Sequence, residues 1–256
     1  MLHKIKNRKQ YKEIQALNYS GAKEILKSPA HYKAFLEKSG DSDSKALRMG
    51  SLTHAMVLQP EIVDLEFAVS PDCDRRTKEG KALYESFLST SEGKTVLSGE
   101  EFGVCRNTSM SMFDALAANN VEFEHTELML SCEYNGITLK CAIDAVGKDG
   151  YLYDLKTTED ASMREFKNSI FNYRYHLQAH FYMTIYHIAF GVKPKGFRFI
   201  AAEKKEPWAH AVYECGPVLQ ALGEEQFETA VTVYRACLTL GEWPSYGSDP
   251  QIIDIK

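Results

Sequence analysis

Three strand-like segments in close succession constrain this chain more than any other feature. Residues 128–134 alternate as a strand does, and Asn135-Gly136 follows as a hairpin turn. Residues 137–146 return as a second strand, Asp149-Gly150 makes the next turn, and residues 151–156 form a third strand. Helical patterns flank this meander. Before it they fall at about 20–28, 31–38, 46–58, 80–89 and 98–118; after it at about 162–170, 173–190 and 217–240. Ser20 reads as an N-cap, Pro60 as a stop, and Pro217 as a residue tolerated in a first helical turn. Gly50 and Ser51 are expected to let another backbone approach the third helix. Residues 40–44 read as a polar loop, 67–71 as a short strand, and 196–203 and 208–214 as two later strands. The order predicts the α/β class, with a mixed central sheet flanked by helices.

With 256 residues, the chain can form one large domain or two small ones. The pattern favours a basic arm or a docking strand over 1–18 and a single domain over 19–256, helical in 19–120 and with its core in 121–256. No apolar run approaches the roughly 20 residues a membrane span requires. The basic start lacks the apolar segment of a signal peptide, so a cytoplasmic location is expected, with no membrane partner. None of the six cysteines forms a Cys-x-x-Cys pair, which argues against a structural zinc site and for buried free thiols. The net charge of −5 argues against a protein that coats nucleic acid. Two basic clusters run against that balance: Lys4, Lys6, Arg8, Lys9 and Lys12, then Lys193, Lys195, Arg198, Lys204 and Lys205. Each fits a solvated surface as readily as a DNA-facing one.

The meander also carries the candidate chemistry. Alternation with period two puts Asp154 and Lys156 on one face of the third strand and Leu155 on the other. Counting back from the Asp149-Gly150 turn brings Asp144 close to Asp154. Carboxylates in apolar surroundings need a cation or hydrogen bonds to compensate them. Two acids beside a lysine therefore point to a hard divalent cation such as Mg²⁺, for which Mn²⁺ would substitute, with the Leu155 carbonyl as a further ligand. Lys156 would position or polarise a water and stabilise developing negative charge, as phosphodiester hydrolysis requires. Taken alone, Asp-x-Lys is a common tripeptide that fits a surface ion pair far better.

The wider context changes that balance. Asp144, Asp154-Leu155-Lys156-Thr157-Thr158 and Gln178-Ala-His-Phe-Tyr182 resemble the PD-(D/E)xK nuclease superfamily, with its restriction-endonuclease-like core. More narrowly, Gly50-Ser-Leu-Thr-His54 and Tyr173-Arg-Tyr175-His176-Leu-Gln178 resemble the RecE-type, exonuclease VIII-like branch found in phages and prophages. The resemblance spans roughly 19–246. It implies that Asp144 and Asp154 ligate metal, with His54 completing the site from its helix. Lys156 would be the catalytic lysine. Gln178 would orient water, substrate or Lys156, and Tyr182 would pack behind it or touch phosphate. Glu127 would be an acid reaching a second metal. Ala142 stands where related nucleases often carry glycine. By itself, His54 beside Leu52, Ala55 and Met56 reads as an ordinary core or surface histidine.

The resemblance further implies digestion of linear double-stranded DNA from its ends, 5′→3′. It implies 3′ tails passed to a strand-annealing partner during recombination, and a homo-oligomeric ring of four copies, in a bacterial or phage-infected cell. The alternatives are an endonuclease or 3′→5′ repair nuclease of the same superfamily and, from another class, a DNA-end-binding module without catalysis. For gripping DNA, Arg75, Arg76 and Lys78 are candidates because guanidinium forks suit phosphate oxygens, and Arg174 and Tyr175 form a second group one turn from Gln178. A solvated loop accounts equally well for Arg75 and Arg76. Tyr84 is a candidate for stacking on a frayed base.

Overall fold

The computed structural model describes residues 3–5, 7–38 and 44–247. Lys6 and residues 40–43 of the expected polar loop lie outside them. In chain order the described residues form β1 (His3–Lys4), α1 (Arg8–Glu13), α2 (Tyr19–Ile25), α3 (Pro29–Lys38) and α4 (Lys45–Leu58). A 3₁₀ turn (Pro60–Ile62) leads to α5 (Val63–Glu66), β2 (Phe67–Val69), α6 (Lys78–Thr90), β3 (Thr95–Leu97) and α7 (Gly99–Ala118). The meander is β4 (Phe123–Tyr134), β5 (Ile137–Gly147) and β6 (Tyr151–Thr158). Then come α8 (Met163–Tyr173), α9 (Tyr175–Phe190), β7 (Gly196–Glu203), β8 (His210–Glu214) and α10 (Pro217–Leu240).

Side-chain caps set most helix starts. Ser44 accepts from Leu47 N, Thr77 from Gly80 N and Ser162 from Glu165 N, while Ser98 and Glu101 form a reciprocal capping box. The expected cap at Ser20 is displaced. Asn18 caps α2 instead, its Oδ1 accepting the Gly21 N–H at 2.8 Å, and Ser20 lies inside the helix. The expected close approach at Gly50 is also absent, since a Cβ built there would meet nothing within 4 Å. A tight approach of one helix to another lies instead at Gly223 of α10, where a Cβ would fall 2.2 Å from the His176 carbonyl oxygen of α9.

The sheet runs β1-β4-β5-β6-β7-β8, with only β6 and β7 parallel, and β2 and β3 form a separate parallel pair. One face is covered by α2, α8, α9 and α10, where Leu130, Leu139, Cys141, Leu152, Phe197 and Phe199 meet Leu177, Phe181 and Phe227. On the other, Ala145, Tyr153, Leu155, Ile200 and Ala202 meet Met112, Ala115 and Leu116 of α7 and the end of α4. Each large side chain fully buried in these layers contributes about 1.5–3 kcal/mol. A third cluster, including Leu52, Phe67, Leu97 and Cys105, ties α4 and α7 to the small sheet. β3 had no clear signal in the sequence, being a three-residue strand defined by its neighbour. The segment expected as an arm or a docking strand is stitched to the sheet. β1 pairs with β4, Leu17 is fully buried against β5, and the Lys140 ammonium donates to the carbonyls of Tyr11 and Ile14 at 2.7 and 2.8 Å.

Candidate active site

The meander opens where its acids sit. β5 and β6 pair only at Ala145↔Tyr153 and Val146↔Leu152. One step further, Asp144 stands opposite Asp154, and the ladder stops. The Leu155 N–H donates to Asp144 Oδ2 at 2.8 Å, so a carboxylate takes the place of a strand carbonyl. The neighbouring strand is irregular at the same level. Glu127, level with Asp144 on β4, has a left-handed backbone (φ 49°), a costly conformation for a residue with a Cβ. Alternation breaks there too, because Ile143 and Val146 face the same layer. Three acids from three adjacent strands thus lie in one row across a deformed stretch of sheet.

Helix α4 adds His54 to this row. Its Nε2 lies 3.0 Å from the Leu155 carbonyl oxygen and its Nδ1 3.5 Å from Asp144 Oδ2. If Nε2 carries the proton, it donates to Leu155, and the bare Nδ1 then faces a carboxylate. Two acceptors in that position call for a cation or an extra proton between them. Burial pushes the His54 imidazole below its ordinary pKa, so an extra proton on the ring is disfavoured and, without a cation, the proton would sit on Asp144. Asp144 is driven the other way: burial first, then the Asp154 carboxylate, hold it well above the usual range. One ligand atom each from His54, Glu127 and Asp144 all lie within 4.8 Å of one another. Two carboxylates and an imidazole fit Mg²⁺ or Mn²⁺, the imidazole favouring the softer Mn²⁺.

Asp154 lies outside that three-residue group. It is 2 % exposed, with Oδ1 hydrogen-bonded and Oδ2 ion-paired but accepting no hydrogen bond. Gln178 Nε2 donates to its Oδ1 at 2.6 Å, and Lys156 Nζ lies 2.6 Å from its Oδ2. Gln178 Oε1 accepts from the same ammonium at 3.1 Å, which fixes the amide's orientation. Burial alone would lower the Lys156 pKa, but Asp154, Tyr175 and Asp144 outweigh it and hold the ammonium above its ordinary value. Tyr175 covers it, with Nζ 4.3 Å from the ring centre. Tyr175, Gln178 and Tyr182 share one face of α9 by their i, i+3, i+7 spacing. Tyr182 packs edge-on to Tyr19 and against Phe197.

This fold and its site can be compared with known proteins. The family described as a PDDEXK-like domain of unknown function (DUF3799) matches residues 18–254.

The chain belongs to that family.

A protein of Eubacterium rectale provisionally named an exonuclease has a solved structure that shares the fold of this PDDEXK-like chain. Its TM-score is 0.64 at 12% identity, covering 94% of this chain and 90% of that one. A second solved structure, SSO0001, aligns over 77% of this chain and 83% of its own at 13% identity, with a TM-score of only 0.33. No curated protein matches the sequence. The family places the chain among PDDEXK-like domains, the class to which PD-(D/E)xK nucleases belong. No described helix is long and apolar enough to cross a membrane.

The remaining site candidates of this PDDEXK-like chain are placed less centrally. Arg76 is committed to Asp74 through a two-point contact at 2.9 Å, Arg75 lies 4.6 Å over the Tyr84 ring, and Lys78 opens α6. None of these contacts touches the acid row. Arg174 adopts a left-handed conformation (φ 56°) between α8 and α9 and donates to Gln226 Oε1 at 2.9 Å. The sequence drew no attention to Arg8 beyond its basic cluster. Its Nη2 lies 2.9 Å from Glu127 Oε2, so the N-terminal segment reaches the acid row directly. No local spacing signals a pair 119 residues apart.

Proposed function

We propose that this chain is a divalent-metal-dependent DNA exonuclease that hydrolyses phosphodiester bonds of linear duplex DNA, 5′→3′, and leaves 3′ single-stranded tails. The observation that carries the reading is the convergence of Glu127, Asp144 and His54 beside Asp154 and Lys156. A cation bound by His54, Glu127 and Asp144, with the Leu155 carbonyl and Asp154 alongside, would polarise a phosphate oxygen and acidify a bound water. The chain's own groups supply the rest. Lys156, kept protonated by Asp154, presents a fixed positive charge to the phosphate in the transition state. Gln178 holds that ammonium and the Asp154 carboxylate at set positions, and Tyr175 shields one side of the ammonium from water. End-directed digestion is supported by the family branch that the Gly50–His54 and Tyr173–Gln178 motifs resemble, and by the name of the Eubacterium rectale neighbour. A ring of copies, handing its product strand to an annealing protein, belongs to the same proposal. It would hold DNA topologically, which suits a net charge of −5.

The test is digestion of linear duplex labelled separately at each 5′ and 3′ end, in Mg²⁺. Release of the 5′ label first, with closed circular DNA left intact, is the expected result. Cutting of the circle would favour an endonuclease, and release of the 3′ label first the opposite polarity. Undiminished digestion by Lys156→Ala would remove the site from the reaction.

A further inference from the structure

Beside the acid row, β6 and α8 enclose a groove of about 260 Å³ that runs from Lys156 to Tyr173. It is smaller than the roughly 300–1,000 Å³ of pockets for drug-sized ligands, and matches one nucleotide better than a duplex. Apart from Lys156 at the end nearest the acid row, its charges are already used or of the wrong sign for phosphate. Lys204 is paired with Glu159 at 2.6 Å, and Asp160 and Glu165 also line the walls. A phosphate entering here would meet carboxylates, whereas a neutral base and sugar would not. The lining from α8 is suited to that neutral part. Asn168 and Asn172 are one turn apart and offer amide donors and acceptors. Tyr173, at the end of α8, is 53% exposed.

The Tyr173 ring is fixed in place. It stacks on Tyr175 with centroids 5.5 Å apart and planes 24° apart, and Tyr175 in turn covers the Lys156 ammonium. The Tyr19 hydroxyl donates to the Tyr173 carbonyl and secures the backbone. An exposed aromatic face therefore sits one ring away from the lysine of the proposed reaction.

We propose that this groove seats one unpaired nucleotide next to the scissile phosphate, with Tyr173 stacking on its base. The inference rests on the nuclease reading and adds that the cut strand must leave its partner at the site. A groove of this size has no room for a base pair, so the terminal base must leave its partner to reach Tyr173, and the end frays by at least one pair. Aromatic stacking tolerates any base, so little sequence preference follows from it.

Single-stranded oligodeoxynucleotides carrying 2-aminopurine at either terminal nucleotide test this with the full-length protein. Ca²⁺ is used so that binding is read without turnover. The wild-type chain should quench the fluorescence of one of the two probes. Tyr173→Ala should lose the quenching and bind that probe on the order of tenfold more weakly, while Tyr173→Phe should keep both. Quenching of neither probe by the wild type, or equal quenching by Tyr173→Ala, overturns the proposal. Digestion of linear DNA by the same wild-type preparation shows independently whether the nuclease reading stands.

Discussion

The Lys156 ammonium lies 2.6 Å from Asp154 Oδ2 in a setting where the carboxylate is only 2 % exposed. Removing one member of a buried pair leaves the other charged and uncompensated, at a cost of about 3–5 kcal/mol. Lys156→Ala should therefore do two separable things. It should lower stability in EDTA by an amount of that order, and it should cut digestion of linear DNA by at least ~100-fold. Because a divalent cation beside Asp154 would replace part of the missing charge, added Mn²⁺ should raise the melting temperature of Lys156→Ala more than that of the wild type. Equal shifts would mean that Asp154 does not sense the cation.

Arg8 holds Glu127, one of the three residues whose ligand atoms converge, and so competes with a metal for it. The Arg8 side chain is 71% exposed, and an ion pair with so exposed a partner is worth about 0–1 kcal/mol. Arg8→Ala should accordingly tighten Mn²⁺ binding by up to about fivefold in a calorimetric titration. Unchanged affinity would remove Glu127 from the metal site, or Arg8 from control of it. Asp144→Ala should abolish the binding heat altogether.

Much of this was legible in the sequence where local rules decide the outcome. The Asn135-Gly136 and Asp149-Gly150 turns set the meander, and counting back from the second turn brought Asp144 close to Asp154. The sequence did not reveal where the sheet deforms. The left-handed backbone at Glu127 and the ladder bond taken over by Asp144 Oδ2 are tertiary features with no propensity behind them, and glutamate is a poor residue for such a conformation. The Arg8–Glu127 pair was hidden for the same reason, since only folding brings such distant residues together. Gly50 shows the opposite failure. A glycine in a helix suggested close packing, but it is Gly223, not Gly50, where one helix backbone meets another.

His176 is 1% exposed, and burial lowers its pKa below the ordinary histidine value. The unfolded chain then binds this proton at a higher pH than the folded one. Stability contributed by neutral His176 is fully present above about pH 6.5. It is lost progressively as pH falls below that value toward the folded-state pKa. Denaturant unfolding between pH 7.5 and 5 should show this decline, and His176→Gln should make it shallower whatever its effect on absolute stability. An unchanged slope would assign the decline to other groups, of which His180, also lowered by burial, is the first to examine.

Gly223 and Gly50 both lie inside helices and should respond to alanine with opposite signs. At Gly50 of α4 the added methyl meets open space, so Gly50→Ala should gain about 0.5–1 kcal/mol from reduced backbone entropy in the unfolded chain. At Gly223 of α10 the same methyl would come within 2.2 Å of the His176 carbonyl oxygen, a backbone atom that cannot rotate away. α9 and α10 would have to separate, and overpacking of this kind costs about 1–3 kcal/mol. Because α9 also carries Tyr175 and Gln178, the shift should reach the Lys156–Asp154 pair. Gly223→Ala should thus lose digestion rate at temperatures where it remains fully folded, while Gly50→Ala should not be destabilised. A folded Gly223→Ala protein with wild-type rate would show that α9 keeps its place on the sheet independently of α10.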